Sequence, residues 1–278
     1  MKPGWTGERL ETFVLNETTL EHLHRYAIAK ELVKHKMVLD IACGEGYGSY
    51  LLAEDSTAVT GIDIDSATIE KAKIKYKRSN LVFAVGNVEN IPGNDSKFDV
   101  VVSFDTLEHI TNHDRMLSEL KRVLKPGGLL IISTPDKLNY SDKPNFKNPF
   151  HRRELYKTDF ENLVSYYFKN TRYLFQQCGL LSLIVPQPAS GASIAYKGDF
   201  NRITIENDFG ALYIIAVASD NALPQLPLSV FNSESLLRLL LKEQGDAVKQ
   251  TASYQLGHTL LKPLKLFQFV FKKKTGNK

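Results

Sequence analysis

Between Met37 and Pro135 five short runs rich in Val, Ile and Leu recur: MVLDIA, AVTGIDID, NLVFAVGN, KFDVVVSF and LLIISTP. Runs of this length that are apolar without alternation belong to strands buried on both faces, and such strands need helices on either side. Helical segments stand where that scheme wants them. SATIEKAKIKYKRS reads as a helix with Ser66 as its N-cap and Glu70 in its first turn, and HDRMLSELKRVL as a helix stopping at KPGG. Ahead of the first run, ETTLEHLHRYAIAKELVKH places Leu20, Leu23, Ala27, Ile28 and Leu32 on one helical stripe. After Pro135 the rhythm changes to a long polar loop, a helix at KTDFENLVSYYF and a strand at NTRYLFQQ, with GALYIIAVASD able to pair antiparallel beside it. The expectation is an α/β fold: a doubly wound seven-stranded sheet, mostly parallel, ending in an antiparallel hairpin. An N-terminal lid helix fills 1–36, the sheet domain 37–220, and a helical, basic-amphipathic extension 221–278.

The chain has 278 residues and a formal net charge of +4. Six lysines and no acid fall in 255–278, so the rest of the chain is slightly acidic. The body therefore offers no basic face for nucleic acid, and the tail is a separate electrostatic object. Only two cysteines occur, Cys43 and Cys178, too few for a disulfide framework, and MKPGWTGERLETF has no apolar signal core. Both features predict a cytoplasmic protein.

The stretch VLDIACGEGYGS carries three glycines in five positions, at 44, 46 and 48, behind the acid Asp40. In an open α/β sheet, ligands sit outside the carboxyl ends of the strands, where this loop falls. Asp63 closes the second apolar run at the position from which an acid takes ribose hydroxyls. A dinucleotide enzyme and another nucleoside binder share these features. Asp40 separates them, because an acid before the loop suits a cationic group better than a pyrophosphate.

Five further segments sit at matching points: GIDID, GNVENIP, FDVVVS, LEHI and LKPGG. Together with the glycine loop they resemble the class I S-adenosylmethionine-dependent methyltransferases, Rossmann-like in fold, over roughly residues 37–135. The resemblance implies S-adenosyl-L-methionine as methyl donor. Asp40, Gly44 and Gly46 would line its methionine end, with Cys43 and Glu45 supplying backbone. Asp63 would bind the ribose hydroxyls, and Ile64 and Val88 would flank the adenine. Asn87 stands where the family often has Asp, and Phe104 would flank the donor from the fourth strand.

Methyl transfer to a hydroxyl needs its proton removed or its oxygen polarised. Within FDTLEHITNH a helical turn would put Asp105, Glu108 and His109 on one face, with His113 a turn further. This D-x-x-E-H resembles the E-x-x-E-H metal motif of small-RNA terminal 2′-O-methyltransferases and quinone-pathway O-methyltransferases. It implies a Mg²⁺ or Mn²⁺ site of Asp105, Glu108, His109 and His151, the first position being one methylene shorter than in those families. The alternatives are a metal-free site, with His109, His151 and Glu108 catalytic, or a purely structural loop. His22 and His24 read as helix-face residues, and Arg25 and Tyr26 as parts of a lid over the donor.

GERLE, EHLHRYAIAKELV, STPDKLNYSD and NPFHRREL resemble bacterial methyltransferases found with glycan-assembly enzymes. The final segment, SYQLGHTLLKPLKLFQFVFKKK, resembles tails of polysaccharide-modifying methyltransferases. Its Leu, Phe and Lys residues suit the surface of an anionic membrane at the inner face, or a partner subunit. The leucines at 236, 237, 239, 240 and 241 suit pairing with another chain, so a homo-oligomer is a candidate. The expected acceptor is a sugar hydroxyl of a cell-surface glycan or its precursor. The alternatives are a quinone or secondary-metabolite acceptor, or a non-catalytic partner of a glycan synthase.

Overall fold

The computed structural model describes residues 8–179, 196–198, 202–205, 210–256 and 259. In chain order it holds α1 (Glu17–Leu32), β1 (Met37–Ile41), α2 (Tyr47–Leu52), β2 (Ala58–Asp63), α3 (Ser66–Lys75), β3 (Leu81–Val85) and β4 (Phe98–Ser103). Then follow α4 (His113–Val123), β5 (Leu124–Pro135), α5 (Lys157–Tyr167), β6 (Asn170–Gln176), β7 (Tyr196–Gly198), β8 (Ile203–Ile205), β9 (Tyr213–Ser219) and α6 (Glu234–Gln250). Seven strands form one sheet in the order β3-β2-β1-β4-β5-β9-β6. The first five are parallel, with Val38 beside Val59 on one side and Val100 on the other. β9 runs antiparallel between β5 and β6, pairing Ile132 with Ala216 and Tyr173 with Ala216.

Successive strand residues feed opposite layers, because side chains alternate across a strand. Val38, Val59, Val100 and Val102 pack with Ala29, Leu52, Ile69 and Ala72 from the α1, α2 and α3 side. Leu39, Val101, Leu130 and Ile132 pack with Met116, Leu120, Phe160 and Val164 from α4 and α5. Burial on both faces is what the unbroken Val/Ile runs require.

Three local expectations change. Asp65, not Ser66, caps α3, its carboxylate accepting from the N–H groups of Ala67 and Thr68. β5 begins at Leu124, so KPGG lies inside the strand, where the ladder shifts register between Phe98 and Val100. The buried face of α1 is Thr19, Glu21, Arg25, Tyr26 and Ala29, while Ala27 of the expected stripe is exposed. The helix turns a polar face inward because that face closes a site.

The chain divides into two compact units after Phe231. Residues 221–231 therefore go with the sheet rather than with the extension. Leu223 and Leu226 pack on its core, and Arg172 donates to the Pro224 carbonyl at 2.9 Å. The second unit carries α6, whose Leu237, Leu239 and Leu241 are exposed. The basic tail from Leu260 onward lies outside the described residues.

Candidate functional site

At the carboxyl ends of β1, β2 and β4 a cleft of about 610 Å³ opens between the sheet and the N-terminal segment. Its floor is the loop after β1. Cys43 and Gly44 face the cleft, and a Cβ built on Gly44 would meet nothing within 4 Å, so the backbone there is open to a ligand. The next glycines answer to packing behind the loop. Gly46 backs onto the Phe83 ring, and a Cβ on Gly48 would stand 1.9 Å from Cζ of Tyr26. Asp40, Glu45 and Gly46 are not in the wall, a correction to their expected contact with the cleft. Asp40 is buried one layer behind it, accepting from Ser49 Oγ at 2.6 Å and from the Tyr26 hydroxyl at 3.3 Å. Burial pushes its carboxyl up to about 7, and the two hydroxyls limit the rise. The Glu45 carboxylate turns away to Thr12 and Lys75.

Asp63 stands at the tip of β2. Its Oδ2 accepts the Gly44 N–H at 2.9 Å, and Oδ1 accepts from the Asp65 N–H at 3.0 Å and Arg9 Nη2 at 3.2 Å. Ile64, Asn87, Val88 and Phe104 join it in the wall. Asn87 Oδ1 accepts the Glu89 N–H at 2.8 Å, which shapes the turn after β3. Phe104 meets the Tyr26 ring edge-on at 5.1 Å.

The other end of the cleft lies beyond β4. No helical turn starts at Asp105. Its φ is +46, and only Leu107–His109 form a short 3₁₀ turn. Asp105 is thereby separated from Glu108 and His109 and faces α1. Its carboxylate accepts from Arg25 Nη1, His22 Nε2 at 3.2 Å and Ser133 Oγ at 2.7 Å. Burial alone would raise its pKa, but Arg25, with His22 and Ser133, drives it below the usual carboxylate range. Arg25 is fully buried, stacked 4.2 Å over the Tyr213 ring, with Nε donating to Gln176 at 2.7 Å. It is thus an internal strut and not a mobile lid residue.

Glu108, His109 and His151 do come together: one ligand atom from each lies within 4.8 Å of the others. The Glu108 carbonyl accepts the N–H groups of Arg152 and Arg153, which docks the His151 loop against this turn. Burial, then the charge of Asp105, pushes the Glu108 carboxyl well above its ordinary range. His109 Nδ1 lies 3.1 Å from the Phe150 carbonyl and must donate to it, which leaves the Nε2 lone pair of the neutral ring. Both His151 nitrogens are engaged, Nδ1 with Glu154 at 2.5 Å and Nε2 with Asn148 at 3.1 Å, and its ring stacks on Tyr140. The expected four-residue metal set loses Asp105 to Arg25. His113 is buried at the start of α4, away from the cleft wall.

Among the wall residues that were not expected are His22, Tyr47, Tyr140 and Asn148. Of these four, His22 had a readable signal, lying three and four residues before Arg25 and Tyr26 on one face of α1.

The methyltransferase domain family matches residues 32–178, just over half of the chain. A Mycolicibacterium smegmatis protein named "Probable S-adenosylmethionine-dependent methyltransferase" is 34% identical over 188 residues, 64% of this chain and 71% of that protein. The chain belongs to the S-adenosylmethionine-dependent methyltransferases. A second member of the group, the ubiquinone biosynthesis O-methyltransferase of Coxiella burnetii, is 31% identical over 112 residues, 40% of this chain and 48% of that one. Among solved structures, the Thermotoga maritima "SAM-dependent methyltransferase, possible histamine N-methyltransferase" superposes with a TM-score of 0.53 at 19% identity, over 74% of this chain and 91% of that one. That likeness is one of fold. No helix among the described residues is long and apolar enough to cross a membrane.

The cleft fits the donor that this family uses. The open backbone at Gly44 is a cradle that any side chain would fill, and Asp63 offers carboxylate oxygens to a ribose diol.

Proposed function

We propose that this methyltransferase methylates a hydroxyl of a sugar, within a cell-surface glycan or its precursor. One observation carries the reading: the acceptor end of the cleft is an aromatic platform ringed by hydrogen-bonding groups. The Tyr140 ring stacks on His151 and its hydroxyl accepts from Asn148, and Glu108 and His109 stand in the same wall. A sugar presents apolar C–H faces and hydroxyl edges, which match a ring and its polar rim. An apolar quinone ring with a prenyl tail would call for an apolar wall. A hydroxyl acceptor also agrees with the printed name of the Coxiella relative.

When bound, S-adenosylmethionine supplies an electrophilic methyl group on a sulfonium. Asp63 takes the ribose hydroxyls, Ile64 and Val88 flank the adenine, Asn87 reads its edge, and Cys43 and Gly44 present backbone to the methionine end. His109 Nε2 and the Glu108 carboxyl hydrogen-bond the sugar, and His151 holds the Tyr140 platform in place. Positioning of this kind supplies much of the acceleration of an in-line displacement.

The test uses methyl-tritiated S-adenosylmethionine with cell-envelope extract and the purified protein. Label released as an O-methyl sugar on acid hydrolysis supports the reading. Label only on nitrogen, or only in an extractable quinone, overturns it.

A further inference from the structure

Three side chains in the cleft wall form a continuous hydrogen-bonded chain that nothing above uses. Tyr47 opens α2 directly after the glycine loop, His22 comes from α1, and Asp105 from the loop after β4. The Tyr47 hydroxyl lies 2.8 Å from His22 Nδ1, and His22 Nε2 lies 3.2 Å from Asp105 Oδ2. We propose that Tyr47, His22 and Asp105 are a proton relay that takes the proton of the acceptor hydroxyl. The proposal rests on the hydroxyl reading given above and names the base of that site.

The direction of the relay follows from charge. Asp105 is ionised, and an ionised carboxylate can only accept, so His22 Nε2 must carry a hydrogen. Burial lowers the pKa of His22, so the ring is neutral and its Nδ1 holds a lone pair. The Tyr47 hydroxyl must therefore donate to Nδ1, leaving its own lone pairs for a hydroxyl in the cleft. Burial also raises the pKa of Tyr47, so it remains a phenol and passes a proton on without storing a charge. Asp105 and the Arg25 guanidinium that shares it act on both His22 and Tyr47, and Asp40 and Glu45 act on Tyr47 as well.

The backbone speaks for the same role. Asp105 sits at φ +46, a left-handed conformation that is costly for a non-glycine residue. It is held there by its N–H to the Ser133 carbonyl and hydroxyl, at 3.2 and 3.1 Å. The strained turn is what aims the carboxylate at His22 instead of along the cleft.

As the acceptor oxygen bonds the methyl carbon, its proton moves to the Tyr47 oxygen while the Tyr47 proton moves to His22 Nδ1. The electron pair of the methyl–sulfur bond stays on sulfur. The positive charge thus passes from the donor's sulfonium to the His22 ring, where Asp105 faces it. His22 and Asp105 are positioning residues in this scheme, and Tyr47 is the one that touches the reacting oxygen.

Two measurements on the full chain test the relay. In ¹⁵N-histidine spectra without donor or acceptor, His22 should be neutral with its hydrogen on Nε2, and Tyr47→Phe should shift the Nδ1 resonance downfield. A hydrogen on Nδ1 or a charged ring overturns the relay. In the tritiated-donor assay on cell-envelope extract, Tyr47→Phe and His22→Gln should each slow incorporation by 100-fold or more. Their affinity for S-adenosylmethionine by calorimetry should stay within about threefold of wild type, and Asp105→Glu should recover more rate than Asp105→Ala. Retained rate in Tyr47→Phe, or loss of donor affinity in step with rate, overturns the proposal. Label appearing on nitrogen in the wild type is failure of the hydroxyl reading instead, and the tautomer measurement still decides the relay.

Discussion

Asp63 accepts hydrogen bonds from two backbone N–H groups and from Arg9, so its carboxylate is oriented before any ligand arrives. A ribose diol bound there meets a fixed, charged acceptor, and a hydrogen bond to a charged group contributes about 1.5–3 kcal/mol. Asp63→Ala should therefore weaken S-adenosylmethionine binding by at least tenfold in calorimetry, and an unchanged affinity would remove Asp63 from the donor site. Asp40 behaves oppositely, since its carboxyl is buried behind the cleft wall on Ser49 and Tyr26. Its pKa rises from 3.8 to about 7 in the folded state, so between those values the native protein binds a proton that the unfolded chain has lost. Stability from this group is unaffected below pH 4, falls as pH rises toward 7, and is level above that. At about 1.4 kcal/mol per unit the full shift corresponds to about 4 kcal/mol. Asp40→Asn removes the titration, so wild type should lose stability relative to the variant between pH 4 and 8 in urea melts. Glu108, His109 and His151 offer a carboxyl and two imidazoles, but both His151 nitrogens are already bonded within the protein. Methyl transfer should accordingly survive excess EDTA. Loss of activity that Mn²⁺ restores would instead make this trio a metal site.

Helix α1 is the element that least resembles what its sequence suggests. Its apolar residues mark one stripe, yet the buried face carries Glu21, Arg25 and Tyr26. Periodicity reports which face is apolar, and here the inward face is polar because it lies on the site and not on the core alone. The strands were legible for the contrary reason: buried on both faces, they have no polar side to confuse the pattern. The places of Asp63, Ile64, Asn87, Val88 and Phe104 in the cleft wall were legible too, because each stands at or just beyond the end of a strand whose register the sheet dictates. Asp105 was not, since a left-handed backbone at a non-glycine residue leaves no mark in spacing. The pairing of α1 with α2 depends on Gly48, where the Tyr26 ring occupies the volume a methyl group would take. Gly48→Ala should destabilise the fold by about 1–3 kcal/mol in denaturant melts, the usual cost of overpacking. It should also weaken donor binding, because displacing Tyr26 disturbs Phe104 and the hydroxyl that supports Asp40. Full donor affinity in a destabilised Gly48→Ala protein would show that the α1–α2 contact holds the fold alone.

At the scale of the whole molecule, charge and site are separated along the chain. The sheet unit holds the cleft, whereas the lysines that make the net charge positive are gathered in 255–278. That segment also carries Leu260, Leu261, Leu264, Phe267, Val270 and Phe271. Aromatic and leucine side chains gain by entering a lipid interface, and each lysine near an anionic surface adds about 1 kcal/mol. An anionic membrane surface would then draw on the six lysines of this segment. Deleting 255–278 should abolish sedimentation with phosphatidylserine-rich vesicles and spare S-adenosylmethionine binding, and added salt should release the full-length chain because the attraction is screened. Sedimentation that survives the deletion would move the contact elsewhere. Among the described residues, the exposed leucines of α6 are the surface to test next, since their apolar contact would resist salt.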